Sequence, residues 1–225
     1  MPTPLLKKLS LKNIALHLRG ILPSWAYEFL LDIRFMTFPR LCKKDASFPN
    51  YTDGEWITRK PTSDLRAIVE YLHTKRITHS TILSIGVGNS YLANELHAQC
   101  KHIDGISIVP QEVTLAETLG YTNYSILLLD KYGVISPKLK GSYDFIVDND
   151  LAGYACCLIH FHEMIQSYIS LLAPHGIILT GIHGSKYFDC GFGMSERFIK
   201  ILCSQHKLSW NKLTPTVIAL TPETV

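Results

Sequence analysis

Short apolar segments alternate with amphipathic segments along most of this chain. The apolar runs cover residues 81–85, 101–109, 126–130, 143–147 and 176–182. Between them, apolar residues recur at helical spacing, as in the segment from Leu65 to Leu72 that Thr62 or Ser63 would cap. Parallel strands need crossover connections of about a dozen residues, and these connections are usually helices. The pattern therefore predicts an α/β protein with a mostly parallel sheet.

The first apolar run ends in two closely spaced glycines. Gly86 and Gly88 follow Ile85, and a helix is predicted to begin near Tyr91. Because glycine has no side chain, backbone amides in such a turn can approach a ligand closely, and the start of the helix places its positive dipole end at the same point. We interpret this segment as a ligand-binding turn in half of a nucleotide-binding α/β sheet.

The residues around this turn disfavour two common nucleotide-binding patterns. A dinucleotide-binding G-x-G-x-x-G sequence would need a third glycine where Tyr91 stands and an acidic residue about 20 positions further on, where Ser107 stands. A P-loop would need a G-x-x-x-x-G-K-[ST] sequence, and no Lys-Ser or Lys-Thr pair follows the glycines at that spacing. NAD, FAD and P-loop-bound ATP are therefore disfavoured.

Five segments, in matching order and spacing, resemble the motifs of the class I S-adenosylmethionine-dependent methyltransferases. These segments are Ser84-Ile85-Gly86-Val87-Gly88-Asn89-Ser90 and residues 105–112, 126–130, 143–150 and 171–179. The resemblance covers roughly residues 78–221. It implies a seven-stranded, mostly parallel, doubly wound sheet, with residues 1–62 as a helical N-terminal cap or lid and residues 63–225 as the Rossmann-like methyltransferase domain.

The same resemblance implies an enzyme that transfers a methyl group from S-adenosylmethionine to an oxygen or nitrogen atom of a small molecule. The cofactor-binding residues that it implies are Ser84, Gly86, Gly88, Asn89, Ser107, Ile108, Asp130, Asp148 and Asn149. By analogy with the family, the glycines would face the methionine part of the cofactor. Ser107 would face the ribose, Asp130 the adenine, and Asp148 with Asn149 the methionyl amine or the acceptor.

Two positions depart from the family pattern. Serine stands at positions 84 and 107, where the family usually has acidic residues. Asp104 is a candidate replacement for one lost carboxylate, but side chains alternate along a strand, so Asp104 and Ser107 are expected on opposite faces. The departures leave an alternative open. The chain could have the methyltransferase fold without transferring methyl, as a binding protein or as a catalyst of cyclisation or elimination in the same cavity.

Methyl transfer to a hydroxyl or an amine needs a base that takes up the acceptor's proton. The candidates are His183, which follows the fifth apolar run, and Asp148 and Asp150, which follow the fourth. We favour His183 because the pKa of histidine is near neutrality, although a loop histidine can also serve only to bond the backbone. His160 and His162 diverge by about 200° on a predicted helix, and no metal site is predicted.

A segment rich in turn-forming and aromatic residues precedes the family core. In the family, such a segment commonly folds over the cofactor or the acceptor. Tyr51, Glu55 and Trp56 in this segment, and Tyr187 after the fifth apolar run, are therefore candidate substrate contacts. Trp56 could equally be a packed aromatic residue.

The first 45 residues carry a local positive charge. They contain eight Lys and Arg residues against three acidic residues, and residues 5–22 form a predicted basic amphipathic helix that a second helix at residues 25–35 follows. Such a helix can lie on an anionic membrane surface. We favour the simpler interpretation, in which the two helices form a lid over the substrate mouth.

Composition narrows the classes of partner and compartment. The net charge is only +3 and the cations are scattered, so no nucleic-acid partner is predicted. Six cysteines form no C-x-x-C pair, which is typical of reduced thiols. The sequence has no run of 18 apolar residues and no secretory signal pattern, so a cytoplasmic location is expected. No pattern predicts an oligomeric state.

Overall fold

A computed structural model describes residues 22–23, 25–26, 54–133, 135, 137–139, 141–153, 158–182 and 196–223. The helices in these ranges are α1 (Ser63–His73), α2 (Tyr91–Leu96), α3 (Pro110–Thr118), α4 (Leu158–Leu171) and α5 (Glu196–Gln205), with 3₁₀ turns at Glu55–Thr58 and His97–Gln99. The strands are β1 (Thr81–Ile85), β2 (His102–Ser107), β3 (Tyr124–Leu128), β4 (Tyr143–Val147), β5 (Leu172–Gly181), β6 (Leu208–Lys212) and β7 (Val217–Pro222).

The seven strands form one sheet in the order β3-β2-β1-β4-β5-β7-β6. Strands β1 to β5 pair in parallel, whereas β7 runs antiparallel to both of its neighbours, β5 and β6. The strand order reverses between β1 and β4, and ligands of open α/β sheets bind beyond the carboxyl ends of strands at such a point. The predicted seven-stranded, mostly parallel, doubly wound sheet is confirmed.

Successive residues of each strand supply the two faces of the sheet. Ile82 belongs to the cluster that packs against α1 and α2, together with Ile68 of α1. The next residue, Leu83, belongs to the cluster on α4 and α5, together with Phe161 and Ile199. All five of these side chains are fully buried. The parallel strands are apolar on both faces because helices cover both faces.

Local sequence explains some element boundaries better than others. Helix α1 begins after Thr62, whose Oγ1 accepts a hydrogen bond from the Leu65 amide at 3.2 Å, as the predicted cap requires. Strand β3 instead lies two residues before the predicted run at 126–130. It is an edge strand in which Leu127 and Leu128 remain exposed, so burial does not mark where it ends.

Three non-glycine residues of the described ranges adopt a backbone conformation that usually belongs to glycine. Ser90 has a φ of 61°, His175 a φ of 68° and Lys207 a φ of 55°. Ser90 and His175 stand where the motifs that this sequence resembles have glycine. The left-handed conformation costs an L-residue roughly 1–2 kcal/mol. Ser90, just before α2, and His175, where the pairing of β5 with β4 is irregular, therefore hold this conformation without glycine.

Most of the predicted N-terminal cap lies outside the described residues. The described parts of it are residues 22–23 and 25–26 and the segment from 54 to 62. The division of the chain at residue 62 remains a prediction, as does the basic helix at residues 5–22. Across the described ranges, every helix is too short or too polar to cross a membrane.

Candidate functional site

The glycine turn lies at the carboxyl end of β1, beside the reversal of strand order. Gly86 and Gly88 have φ angles of 69° and 54°, a region that glycine adopts without strain. Apart from chain neighbours, a Cβ built on either glycine would meet no heavy atom of the described residues within 4 Å. The Gly86 amide donates to the carbonyl of Ile106 at 2.8 Å and so fixes the turn to β2. The turn is anchored to the sheet, and the described part of the chain leaves space for a ligand beside it.

A buried glutamate in the first turn of α3 lies against this glycine turn. Glu112 is 4% exposed, and its Oε2 accepts hydrogen bonds from the Gly88 amide at 3.0 Å and from the Ser107 hydroxyl at 2.6 Å. The Ser107 Oγ in turn accepts from the Val109 amide at 3.0 Å. Pro110 is the first residue of α3, so the helix starts directly after β2 and its first turn lies near the glycines.

Glu112 supplies a carboxylate where the sequence analysis finds only serines. Ser84 is buried inside β1, and Ser107 orients Glu112. Asp104, the candidate replacement for a lost carboxylate, binds other residues. Its carboxylate lies 3.0 Å from His102 Nε2 and accepts a hydrogen bond from the Tyr143 hydroxyl at 2.6 Å. Sequence reasoning missed Glu112 because the family pattern looks for the acid on the strand. The signal that could have found it is an acid one helical turn beyond a strand that lacks its own.

A second buried carboxylate, Asp148, follows β4 and is ion-paired. Asp148 is 1% exposed, and Lys131 Nζ lies 3.1 and 2.9 Å from its two oxygens. The same ammonium donates to the carbonyls of Asp150 at 2.6 Å and Leu151 at 3.3 Å. Tyr168 donates to Asp148 Oδ2 at 2.8 Å, and burial followed by the Asp148 charge raises the pKa of this phenol. The network joins the segment after β3 to the loop after β4.

The roles predicted for Asp148 and Asp150 remain predictions. The carboxylate of Asp148 accepts hydrogen bonds from inside the protein, and the carbonyl of Asp150 binds Lys131. Lys131 was missed by sequence reasoning, since a single lysine after an apolar run is ordinarily an exposed residue. Only the folded chain brings it to a carboxylate 17 positions away.

Residues 54–62, which we call the strap, are bound to the glycine turn through Asn89. The Asn89 Nδ2 donates to the carbonyls of Ile57 at 2.9 Å and Arg59 at 3.0 Å. Trp56, in the 3₁₀ turn of the strap, is 7% exposed and therefore packed. Asn89, predicted to bind the cofactor, thus positions the strap in this structure.

Asn149 binds the other end of the strap from the loop after β4. Its Nδ2 donates to Thr62 Oγ1 at 3.1 Å. Its Oδ1 is buried and has no hydrogen-bond partner among the residues that the structure describes. Leaving a buried acceptor unsatisfied is costly, so this oxygen is suited to accept a hydrogen bond from a ligand.

The remaining predicted residues are scattered around this edge of the sheet. Asp130 follows β3, and its Oδ1 accepts from the Tyr132 amide at 2.9 Å. Ile108 follows β2 and is half-buried, whereas Glu55 in the strap is exposed. Three predicted residues lie outside the described part of the chain, namely Tyr51, His183 and Tyr187. Their roles remain predictions.

A histidine pair lies between α4 and the end of α5. His162 Nδ1 and His206 Nε2 are 2.6 Å apart. Burial lowers the pKa of His162, and burial followed by the charge of His162 lowers that of His206. His160 faces Glu163 instead, at 3.8 Å. In the ranges that the structure covers, no three histidine, cysteine or acidic side chains come together to hold a metal ion.

Comparison with solved structures finds the same architecture in several methyltransferases. The N-methyltransferase NodS from Bradyrhizobium japonicum WM9 is 17% identical, with a TM-score of 0.55 over 77% of this chain and 100% of that chain. Magnesium protoporphyrin IX methyltransferase (ChlM) from Synechocystis PCC 6803, solved with bound S-adenosylmethionine, is 15% identical, with a TM-score of 0.56 over 74% of this chain and 88% of that one.

An rRNA methylase from Streptococcus thermophilus is also similar. It is 13% identical, with a TM-score of 0.52 over 74% of this chain and 100% of that one. No protein-family model matches the chain, and no curated protein matches it significantly in sequence. At these identities the likeness concerns the fold. The chain has the fold of the class I S-adenosylmethionine-dependent methyltransferases.

Proposed function

We propose that this chain transfers a methyl group from S-adenosylmethionine to an oxygen or nitrogen atom of a small molecule. The observation that carries the proposal is the glycine turn at the carboxyl end of β1, where the strand order reverses and where the described residues leave space beside both glycines. Methyltransferases of known structure have the same sheet architecture, and one of them was solved with S-adenosylmethionine bound. Ligands of such sheets bind at this edge.

The residues around the turn fit the chemical groups of this cofactor. Gly86 and Gly88 leave room for a ligand against the backbone. The buried carboxylate of Glu112 suits the hydroxyl donors of a ribose. The orphan Oδ1 of Asn149 suits the methionyl ammonium, and Asp130 stands where the family resemblance puts the adenine contact.

When bound, S-adenosylmethionine supplies an electrophilic methyl group on a cationic sulfur. The chain's own task is to hold the acceptor in line with that group, exclude water and accept the acceptor's proton. The strap, tied to Asn89 and Asn149, is positioned to limit access of water. We assign the proton to His183 rather than Asp148, because both oxygens of the Asp148 carboxylate already accept hydrogen bonds inside the protein, from Lys131 and from Tyr168.

Charge, rather than fold, indicates the class of acceptor. The fold occurs in enzymes named for small molecules and in one named for rRNA. This chain has a net charge of only +3, with its cations scattered along the sequence. Binding to nucleic acid depends on clustered lysine and arginine that neutralise phosphates. We therefore favour a small-molecule acceptor.

Isothermal titration calorimetry on the purified chain tests this proposal. S-adenosylmethionine and S-adenosylhomocysteine should bind with one site per chain, whereas NAD and ATP should not bind. Transfer is then measured with radiolabelled methyl donor against a panel of small hydroxyl and amine acceptors and against RNA. Failure of both sulfur nucleosides to bind would remove the proposal.

A second candidate is a protein of this fold that binds the nucleoside without transferring methyl, or that catalyses cyclisation or elimination. The observation that favours it is the ion pair between Asp148 and Lys131, which binds a carboxylate next to the site to the protein's own ammonium group. Binding of S-adenosylhomocysteine together with no transfer to any acceptor would favour this candidate. Transfer to one acceptor would remove it.

A further inference from the structure

We propose that Glu112 makes the cleft selective for a nucleoside that carries no phosphate. This inference rests on the proposed function and adds how the chain distinguishes S-adenosylmethionine from phosphorylated nucleotides.

The first support is the partner of the Gly88 amide. In glycine turns that bind nucleotides, backbone N–H groups donate hydrogen bonds to the oxygens of a ligand phosphate. In this chain, the Gly88 N–H donates to Glu112 Oε2 at 3.0 Å. The chain's own carboxylate therefore lies where a phosphate oxygen would otherwise lie.

The second support is the environment of that carboxylate. Glu112 is 4% exposed, so water and salt screen its charge poorly. A nucleotide phosphate brought to the same turn would bring a second negative charge beside the first. The hydroxyls of a ribose are donors instead, and hydrogen bonds to an ionised acceptor are roughly twice as strong as neutral ones.

The third support is the rigidity of the arrangement. The Ser107 hydroxyl donates to the same Oε2 at 2.6 Å, and its own oxygen accepts from the Val109 amide at 3.0 Å. The carboxylate is thereby held against the glycine turn, while the residues that the structure describes leave space beside Gly86 and Gly88. A ligand that enters the turn meets a fixed negative charge.

Calorimetry with three probes tests the inference, namely S-adenosylhomocysteine, adenosine and adenosine monophosphate. The wild-type chain should bind the first two and prefer adenosine over its monophosphate by at least about tenfold. Glu112→Gln should weaken S-adenosylhomocysteine by about tenfold, the loss expected for a hydrogen bond to a charged group. The same variant should reduce the preference for adenosine over the monophosphate by about tenfold.

Two further variants separate charge from shape. Glu112→Asp keeps the charge but shortens the side chain, so it should weaken S-adenosylhomocysteine and still reject the monophosphate. Glu117→Gln makes the isosteric change at an exposed position of the same helix and should alter neither value. Circular dichroism checks that each variant is folded, and the aspartate variant keeps the test open if the glutamine variant is not.

The outcomes are distinguishable. If S-adenosylhomocysteine does not bind the wild-type chain, the proposed function fails and the inference fails with it. If it binds, but Glu112→Gln leaves the ratio of adenosine to monophosphate affinity unchanged, only the inference fails. Loss of the discrimination in Glu112→Asp would also overturn it, because the charge would then not be the determinant.

Discussion

The two sides of the cleft edge use buried carboxylates in different ways. On the β1–β2 side, Glu112 accepts from a backbone amide and from a hydroxyl of the same turn region. On the β4 side, Asp148 accepts from the Lys131 ammonium and from the phenol of Tyr168. The two acids are similarly buried, at 4% and 1% exposure.

The difference lies in what each acid leaves behind when it is removed. Removing one member of a buried ion pair leaves an uncompensated charge in the interior, which is strongly destabilising. Removing Glu112 deprives the Gly88 amide and the Ser107 hydroxyl, which are neutral donors, of this acceptor. We therefore expect the β4 side to determine stability and the β1–β2 side to determine which ligand binds.

The largest expected effect is on the β4 side. Asp148→Asn should lower the free energy of unfolding by about 3–5 kcal/mol, because the buried Lys131 ammonium loses its counter-charge. Urea unfolding measures the change. Adding Lys131→Met to Asp148→Asn should restore part of the loss. An unchanged unfolding midpoint in the single variant, with activity abolished, would make Asp148 a catalytic group and break the comparison.

On the β1–β2 side, a second acid should harm rather than help. The family resemblance would suggest that Ser107→Asp restores a missing ribose contact. In the structure, Ser107 Oγ lies 2.6 Å from Glu112, so the new carboxylate would face an existing one and lower stability by about 2 kcal/mol.

Unfolding at several pH values provides the measurement for Ser107→Asp. The loss should shrink as the pH falls, because one carboxyl can then take up a proton in the folded state. Ser125→Asp, at an exposed position of β3, is the control. Tighter binding of S-adenosylhomocysteine by Ser107→Asp would show that Glu112 does not occupy this region in solution.

The glycine turn should lose ligand affinity and some stability together. Gly88→Ala places a side chain at a φ of 54° and should cost roughly 1–2 kcal/mol of stability, and its Cβ enters the space open to the ligand. Gly120→Ala is a matched control, since Gly120 has a φ of 66° with similarly open space. Both should destabilise alike, and only the first should weaken S-adenosylhomocysteine. Equal affinity in the two variants would remove the turn from the site.

The smallest expected effect is the pH response of the histidine pair. The pKa values of His162 and His206 are lowered in the folded chain, so the unfolded chain binds protons more readily below about pH 6.5. Stability should therefore be highest above that pH and fall as the pH drops below it. His162→Gln should reduce this slope in urea unfolding, without changing ligand affinity at neutral pH. An unaltered slope would assign the response to other groups.

The sequence predicts the sheet better than it predicts the site. Strands β1 and β4 are covered by helices on both faces, so seven of their ten residues are apolar and the runs are easy to recognise. Strand β3 lies at the edge, and its predicted run is displaced by two residues because Leu127 and Leu128 are exposed. Burial produces the pattern, and the prediction weakens where burial is partial.

The chemistry of the site depends on contacts that no local pattern encodes. The glycine turn can be recognised in the sequence because two glycines stand at a fixed spacing after an apolar run. Glu112 cannot be recognised in this way, because its carboxylate reaches Gly88, 24 residues earlier, only once α3 packs beside β2. Lys131 and Asp148 likewise meet across 17 residues. The motifs show that positions 84 and 107 lack a carboxylate, and in the folded chain Glu112 of α3 brings a carboxylate to Ser107.

Ser90 and His175 have a consequence for how this fold is recognised from sequence. Each occupies a position with a positive φ that glycine would adopt without strain. The backbone takes this conformation although neither residue is glycine, at a modest energetic penalty. The requirement at these two points is therefore a backbone geometry and not a residue type. A search for glycines at fixed spacing overlooks both positions, whereas a search for positive φ angles in the folded chain finds them.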